Sequence, residues 1–429
     1  MLTPLSMMGS GLDLASRRLA ALGVDPGNRV AVIAEPSPFA LEVVAATAHI
    51  GATLVPLSPS APEAETERLL RRTKPKIVLR AGSLDGAGHA DRPGHQPNPD
   101  DAACIVFTSG STGEPKGIVL TNRNIEASAA AAEAALRLTQ DDRWLLCLPL
   151  HHVGGLSTIY RAMHTGFAVV PVAPFEPRAV IQAIDENGVT AISLVPTMLH
   201  RLLEAGWEAP GSLRFALVGG APCPRRLLDE AMSRGIPVAP TYGMTETASQ
   251  AATLPPWGVA PGGTVGTALP GISITTGDWP SEPSPPGIPA RIWIRGEAVA
   301  HETIDGPLAA EDGWLATDDA GSLDAEGNLT VLGRLDGSII TGGDNVSPKQ
   351  VEEALLRMSV VEQAAVMGIP DEERGERVVA AVVLNEPTDS KALRDELAGE
   401  LPPHAVPREI VLMDSLPHRL LLREMLDSA

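Results

Sequence analysis

Short apolar runs alternate with amphipathic stretches through the first half of the chain. Strand-like runs fall at Arg29 to Glu35, Ala52 to Leu57 and Lys76 to Arg80. Helical spacing covers Leu12 to Leu22 and Ala40 to Ile50. Ala81 to Asp100, rich in Gly, Asp, His and Pro, reads as a surface loop. Ala102 to Phe107 follows as a buried strand. Further strand-like runs come at Trp144 to Leu148, Phe167 to Val172, Ala191 to Val195, Phe215 to Val218 and Pro237 to Ala239, most of them separated by helical segments. This alternation predicts an α/β fold, a large N-terminal domain of parallel sheets flanked by helices. Ligands in such folds collect at the carboxyl ends of strands. Thr108 to Gly117, Gly219 to Ala221 and Thr241 to Thr247 each follow a strand directly, so topology puts three motifs on one rim.

The pattern changes near Gly266. Shorter runs punctuated by Gly and Pro predict a β-rich subdomain over about 266–335, with strands at Ile292 to Arg295 and Leu329 to Leu332. Asp278 to Pro289 reads as a Pro-rich loop. After residue 335 comes a compact α+β unit, 336–429. It has a helix over Pro348 to Met358, strands over Gln363 to Ile369 and Val378 to Leu384, a helix over Ser390 to Leu401 and a strand over Glu409 to Met413.

Composition narrows the classes. The 429 residues carry a formal charge of -20, which argues against nucleic-acid binding. An anionic substrate then has to be held by local positive charge, so single arginines gain interest. The three cysteines, Cys104, Cys147 and Cys223, lack metal-ligand spacing and read as free thiols. No run is long enough to span a bilayer, and no basic flank precedes an apolar signal core. The expectation is a soluble, cytoplasmic protein without membrane insertion; a homodimer is left open.

The densest chemistry lies in Thr108-Ser109-Gly110-Ser111-Thr112-Gly113-Glu114-Pro115-Lys116-Gly117. Glycines bring backbone N–H groups close to an anion, hydroxyls add donors, and Lys116 adds a mobile charge. That combination suits a triphosphate. It is not a Walker loop, because the lysine precedes the last glycine and no Ser or Thr follows it. The bland alternative is a flexible Gly/Ser surface loop.

The segment resembles the phosphate loop of the adenylate-forming superfamily of acyl-CoA synthetases, luciferases and adenylation domains. Tyr242-Gly243-Met244-Thr245-Glu246-Thr247 resembles the family's second core motif. Trp314 to Asp319 is similar to its ribose motif, with Asp318 where Gly is usual. Gly333-Arg334-Leu335-Asp336 through Pro348 resembles its hinge. The motifs stand in the family's order.

The resemblance implies ATP and CoA as co-substrates and Mg2+ as cofactor. It assigns Ser109, Ser111, Thr112 and Lys116 to the β/γ-phosphates, Thr108 and Gly113 to nucleotide binding in the same loop, Thr245 to the α-phosphate and Glu246 to the metal. Gly219, Gly220, Ala221, Tyr242 and Gly243 would face the adenosine, with the Tyr242 ring stacking on the base. Asp319 would hold the ribose hydroxyls, and Arg334 the ribose or phosphate. Lys116, Thr245, Glu246 and Arg334 would carry catalysis. Asp336 would be the hinge about which the small C-terminal domain moves, and Gly342-Gly343 would line the thiol's path. The plain alternatives are a surface or capping glutamate at Glu246, a turn aspartate at Asp319, a surface ion pair at Arg334 and an inter-domain turn at Asp336.

Leu148 to Ser157 followed by Arg161, with Thr247-Ala248-Ser249-Gln250, is similar to the o-succinylbenzoate–CoA ligases of menaquinone biosynthesis. That likeness implies a small-molecule acid with two carboxylates. Arg161 would pair with the one that does not react. Ser157, one turn earlier, would face the same pocket, and His152 would close it or orient the acid. A solvated Arg161 and a packed core His152 are the alternatives. For the whole protein they are a ligase for another aryl or medium-chain acid, or a non-catalytic nucleotide-binding homologue. The last is raised by the terminus. The family ends on Pro-Arg-Thr-x-x-Gly-Lys, whereas here Pro417-His418-Arg419-Leu420-Leu421-Leu422-Arg423 lacks the lysine. Arg419 is the expected substitute.

Overall fold

The computed structural model describes residues 3–4, 9–90, 98–108, 115–260, 262–308, 310–335, 337–371 and 373–416. Ser109, Ser111, Thr112, Gly113, Asp336 and Arg419 lie outside them.

Two large sheets form the N-terminal part. In one, strands Ile77–Leu79, Arg29–Ile33, Thr53–Leu57 and Ala102–Thr108 run parallel, and Lys116–Thr121 returns antiparallel. In the other, Ala168–Pro171, Arg143–Leu146, Ala191–Leu194, Phe215–Val218 and Val238–Met244 run parallel. Their strands read as apolar runs because helices cover both faces. Helices Pro38–His49 and Val153–Thr165 pack between the sheets and share one core with Trp144, Phe167 and Phe215. The α/β expectation is borne out.

Two expectations change. The strand expected to stop at Ala239 continues to Met244, then reverses through a tight turn, Thr245–Thr247, into strand Ser249–Thr253. Its Thr, Ser and Gln residues disguised it as loop. The stretch expected as a Pro-rich loop, Asp278 to Pro289, instead contributes the end of strand Ile272–Trp279 and the short strand Glu282–Pro283. Prolines sit without cost at such an edge, where no ladder N–H is needed.

The β-rich part pairs Ile272–Trp279, Ala290–Gly296, Trp314–Leu323 and Leu329–Arg334 antiparallel. The C-terminal unit has its own core of Ile339, Val351, Leu355, Val378, Leu393 and Leu397. Helices Pro348–Arg357 and Ser390–Glu400 cover strands Val361–Asp371, Gly375–Leu384 and Glu409–Leu412. The hairpin Ile339–Thr341/Asp344–Val346 projects from it toward the N-terminal rim.

Candidate functional site

A cleft of about 1460 Å³ runs between the strand ends of the N-terminal sheets and the C-terminal unit. Thr108 ends one strand and Lys116 begins the next, facing each other across the antiparallel ladder, and both line the cleft. Gly117 leaves room there for the Ile304 and Phe107 side chains, which a Cβ would approach at 2.9 and 3.1 Å. Gly219 and Gly220 line the next edge; a Cβ on Gly219 would meet Thr241 at 2.6 Å. Ala221 follows them without lining the cleft.

Thr245 and Glu246 lie on the floor, on the turn that reverses the strand. Burial holds the Glu246 carboxyl above its usual range; a backbone hydrogen bond and the charges of Lys116 and Arg334 offset only part of that rise. No cluster of three His, Cys, Asp or Glu side chains fit for a metal exists among the described residues. One desolvated carboxylate beside a lysine suits Mg2+ shared with substrate phosphates and water, the usual arrangement for that ion.

The nucleoside end differs from expectation. The Tyr242 side chain is buried and does not line the cleft; its hydroxyl donates to Asp319 Oδ2 at 2.7 Å. Burial, and then the Asp319 charge, hold that phenol well above its usual range. Asp319 is 8% exposed and also pairs with Arg334 at 3.4 Å. Asp318 reaches the cleft instead, 3.6 Å from Arg291 and 3.7 Å from Arg334. The residue standing in place of a glycine therefore adds an accessible carboxylate where the expectation put Asp319, and Arg334 sits between the two acids.

The opposite end is built on helix Val153–Thr165. Gly155 lets its first turn lie against the preceding loop, since a Cβ would meet Pro149 O at 2.3 Å. Four residues apart on one face, Ser157 and Arg161 both reach Ser249: Arg161 Nη2 donates to Ser249 Oγ at 3.0 Å, and Ser157 Oγ lies 3.3 Å from that same oxygen. Ser157 does not line the cleft as expected; its own proton goes to Gly154 O at 3.1 Å. Arg161 is 1% exposed, and its Nε and Nη1 have no partner. Burial draws its guanidinium down to about 9, so it stays charged at neutral pH.

His152 lines the cleft with Nε2 3.1 Å from Asp344 Oδ1, and His404 Nδ1 lies 3.7 Å from Asp344 Oδ2. Burial pushes the Asp344 carboxyl up, but the His152 hydrogen bond and the charges of His404, His152 and His151 outweigh it and leave it at about 2. Gly343 packs tightly beneath, where a Cβ would sit 2.8 Å from Val195. Ser249, Asp318, Asp344 and His404 are residues that sequence reasoning missed as site members. Ser249 carried a signal in Thr247-Ala248-Ser249-Gln250, Asp318 in its place within the ribose motif and Asp344 in the hinge motif; His404 carried none.

Comparison with known proteins follows this geometry. The AMP-binding enzyme family matches residues 12–93 and 80–302, and the AMP-binding enzyme C-terminal domain matches 350–419. A 2-succinylbenzoate–CoA ligase of Bacillus cereus is 33% identical, over 95% of this chain and 89% of its own. The o-succinylbenzoate CoA synthetase of Bacillus subtilis, as a double mutant bound with its product analogue OSB-NCoA, superposes with a TM-score of 0.91 at 30% identity, covering 99% of this chain and 93% of that one. The same synthetase in complex with the acyl-adenylate intermediate OSB-AMP, at the same identity and coverage, gives 0.74.

Proposed function

This chain belongs to the AMP-binding enzyme family, and from that premise we propose that it is an ATP-dependent, AMP-forming acid–CoA ligase acting on o-succinylbenzoate, a step of menaquinone biosynthesis. The observation that carries the choice of acid is Arg161, a buried charged guanidinium lining the cleft, whose Nε and Nη1 have no hydrogen-bond partner. An uncompensated buried charge is costly. A substrate that brings a second carboxylate to this end offsets that cost, and a simple monocarboxylic acid does not. The ligase relatives and the B. subtilis complexes support the same acid.

The chemistry has two displacements. The reacting carboxylate attacks the α-phosphorus of ATP and pyrophosphate leaves. The CoA sulfur then attacks the acyl carbon and AMP leaves. Lys116 and the preceding loop hold the β/γ-phosphates, and Thr245 donates to the α-phosphate. Arg334, fixed between Asp318 and Asp319, keeps one face toward the ribose and phosphate. These donors stand in place before charge builds on the phosphoryl oxygens, which lowers the barrier. Glu246 would hold Mg2+, which supplies charge neutralisation on the polyphosphate. His151 is half-buried and drawn down to about 3, first by desolvation and then by the His152 charge, so it meets the acid as a neutral ring.

The better superposition on the OSB-NCoA complex supports reading this arrangement as the thioester-forming one, with Gly342-Gly343 beside the thiol's path and Asp344 against His152. Three free thiols, and no helix among the described residues long and apolar enough to cross a membrane, support a cytoplasmic setting. Thioester formation across a panel of acids tests the assignment. o-Succinylbenzoate should exceed aryl and medium-chain monocarboxylic acids in kcat/KM; a preference for one of those would replace it.

A further inference from the structure

We propose that Arg72 is a positioning residue for ATP: it clamps both arms of the loop that ends in Lys116 and so aims that lysine at the triphosphate. This rests on the nucleotide-binding part of the reading above. Arg72 lies in the last turn of helix Glu63–Thr73 and does not line the cleft. It stands behind residues that do. Its Nη1 donates to the Pro115 carbonyl at 2.6 Å, and its Nη2 donates to Asp305 Oδ2 at 2.6 Å. Its guanidinium also lies 5.7 Å over the Phe107 ring. Phe107 precedes Thr108 and Pro115 precedes Lys116, the pair that ends the antiparallel ladder. One side chain thus touches both arms from which the loop springs.

The contact reaches Lys116 through a peptide plane. The peptide unit is flat, so the Pro115 carbonyl and the Lys116 N–H turn together. Pro115 also has a fixed φ and no N–H of its own. With its carbonyl held, the direction in which the chain enters Lys116 is set. Ordering a segment with three glycines in ten residues on a ligand costs affinity, and fixing its ends beforehand reduces that cost. The far side of the clamp is tied down as well. Asp305 sits between the short strands Glu302–Thr303 and Gly306–Pro307, and its N–H donates to Thr303 Oγ1 at 3.1 Å. Glu302–Thr303 pairs with strand Lys116–Thr121, and Ile304 N–H donates to Gly117 O at 2.8 Å. The neighbouring Arg71 shows the contrast: its side chain is 69% exposed against 23% for Arg72, and it pairs with Glu67 one turn back.

The test is equilibrium binding of ATP with Mg2+, and of AMP, to the full chain. Lys116 and its loop serve the β- and γ-phosphates, which AMP lacks. Arg72→Met keeps most of the side-chain bulk. It should weaken ATP about tenfold, the size of one hydrogen bond to a charged group, and leave AMP unchanged. Arg72→Lys, with the charge but not the planar fork, should recover part of the loss. Asp305→Asn, at an exposed position, should give up a smaller share of the ATP preference. Arg71→Met is the control and should match the unmodified protein. In a Lys116→Ala background Arg72→Met should cost little more, because it acts through that lysine. Equal losses for ATP and AMP would make Arg72 a support of the fold alone and overturn the inference. An unchanged ATP-to-AMP ratio in Arg72→Met, or full additivity with Lys116→Ala, would overturn it too. AMP release with acid and CoA reports separately on the ligase reading: its absence, with the ATP preference lost in Arg72→Met, would sink that reading and leave this one standing.

Discussion

His152 and Asp344 meet at 3.1 Å across the seam between the N-terminal part and the C-terminal unit. The contact is anchored on both sides. His152 directly precedes helix Val153–Thr165, and Asp344 starts a strand whose turn presses on Val195. Asp344→Asn keeps a hydrogen-bonding group and removes the charge shared by His152 and His404. Thioester formation from preformed acyl-adenylate and CoA should slow about tenfold, the scale of one charge-assisted hydrogen bond, while adenylation changes little. Rapid-quench measurement of both steps decides it; equal losses would show that Asp344 supports the fold and not this arrangement.

Lys116 enters the cleft from the first residue of its strand, so its removal disturbs no core packing. Lys116→Ala should raise KM for ATP by about 10- to 100-fold, from a loss of roughly 1.5–3 kcal/mol. The melting temperature without nucleotide should stay put. Unchanged ATP kinetics would remove this loop from the site.

The pH dependence follows from His151. Its folded pKa is about 3 against an ordinary 6.5, so below 6.5 the unfolded chain binds more protons. The stability tied to the neutral ring is complete above pH 6.5 and is lost as pH falls toward 3. His151→Gln, neutral at every pH, should flatten the fall in melting temperature between pH 6.5 and 4.5. An unaltered slope would assign the acid sensitivity to other groups.

The segment from Pro417 onward lies outside the described residues, so its prediction rests on sequence. Counted without a gap from Pro417 against Pro-Arg-Thr-x-x-Gly-Lys, the lysine falls on Arg423, four residues past Arg419. Arginine keeps the charge but not the compact shape. Adenylation should therefore be the slower half-reaction. Arg423→Lys should speed it, and Arg419→Lys should leave it unchanged. A gain from Arg419→Lys alone would restore the first assignment.

Much of the fold was legible because apolar runs such as Phe215–Val218 and the capped start of helix Pro348–Arg357 carry local signals. Lys116, Thr245, Glu246 and Arg334 were legible as motif members, and the structure brings all four to one cleft. What stayed hidden depends on contacts remote in sequence. Nothing local to Arg161 says that it is buried, because Ser157, Thr158 and His164 interrupt the apolar positions of its helix and an arginine among them reads as solvated. Tyr242 looked like a stacking platform until its hydroxyl met Asp319 from another sheet. The pairing of Asp344 with His152 and His404 exists only once the C-terminal unit docks.

Acid-dependent conversion of ATP to AMP, followed with and without CoA, tests the central claim most directly. With o-succinylbenzoate the account predicts AMP and pyrophosphate only when the acid is present, a stoichiometric burst without CoA, and steady turnover with o-succinylbenzoyl-CoA appearing once CoA is added. Release of ADP, AMP formation indifferent to the acid, or nucleotide binding with no cleavage at all would contradict it.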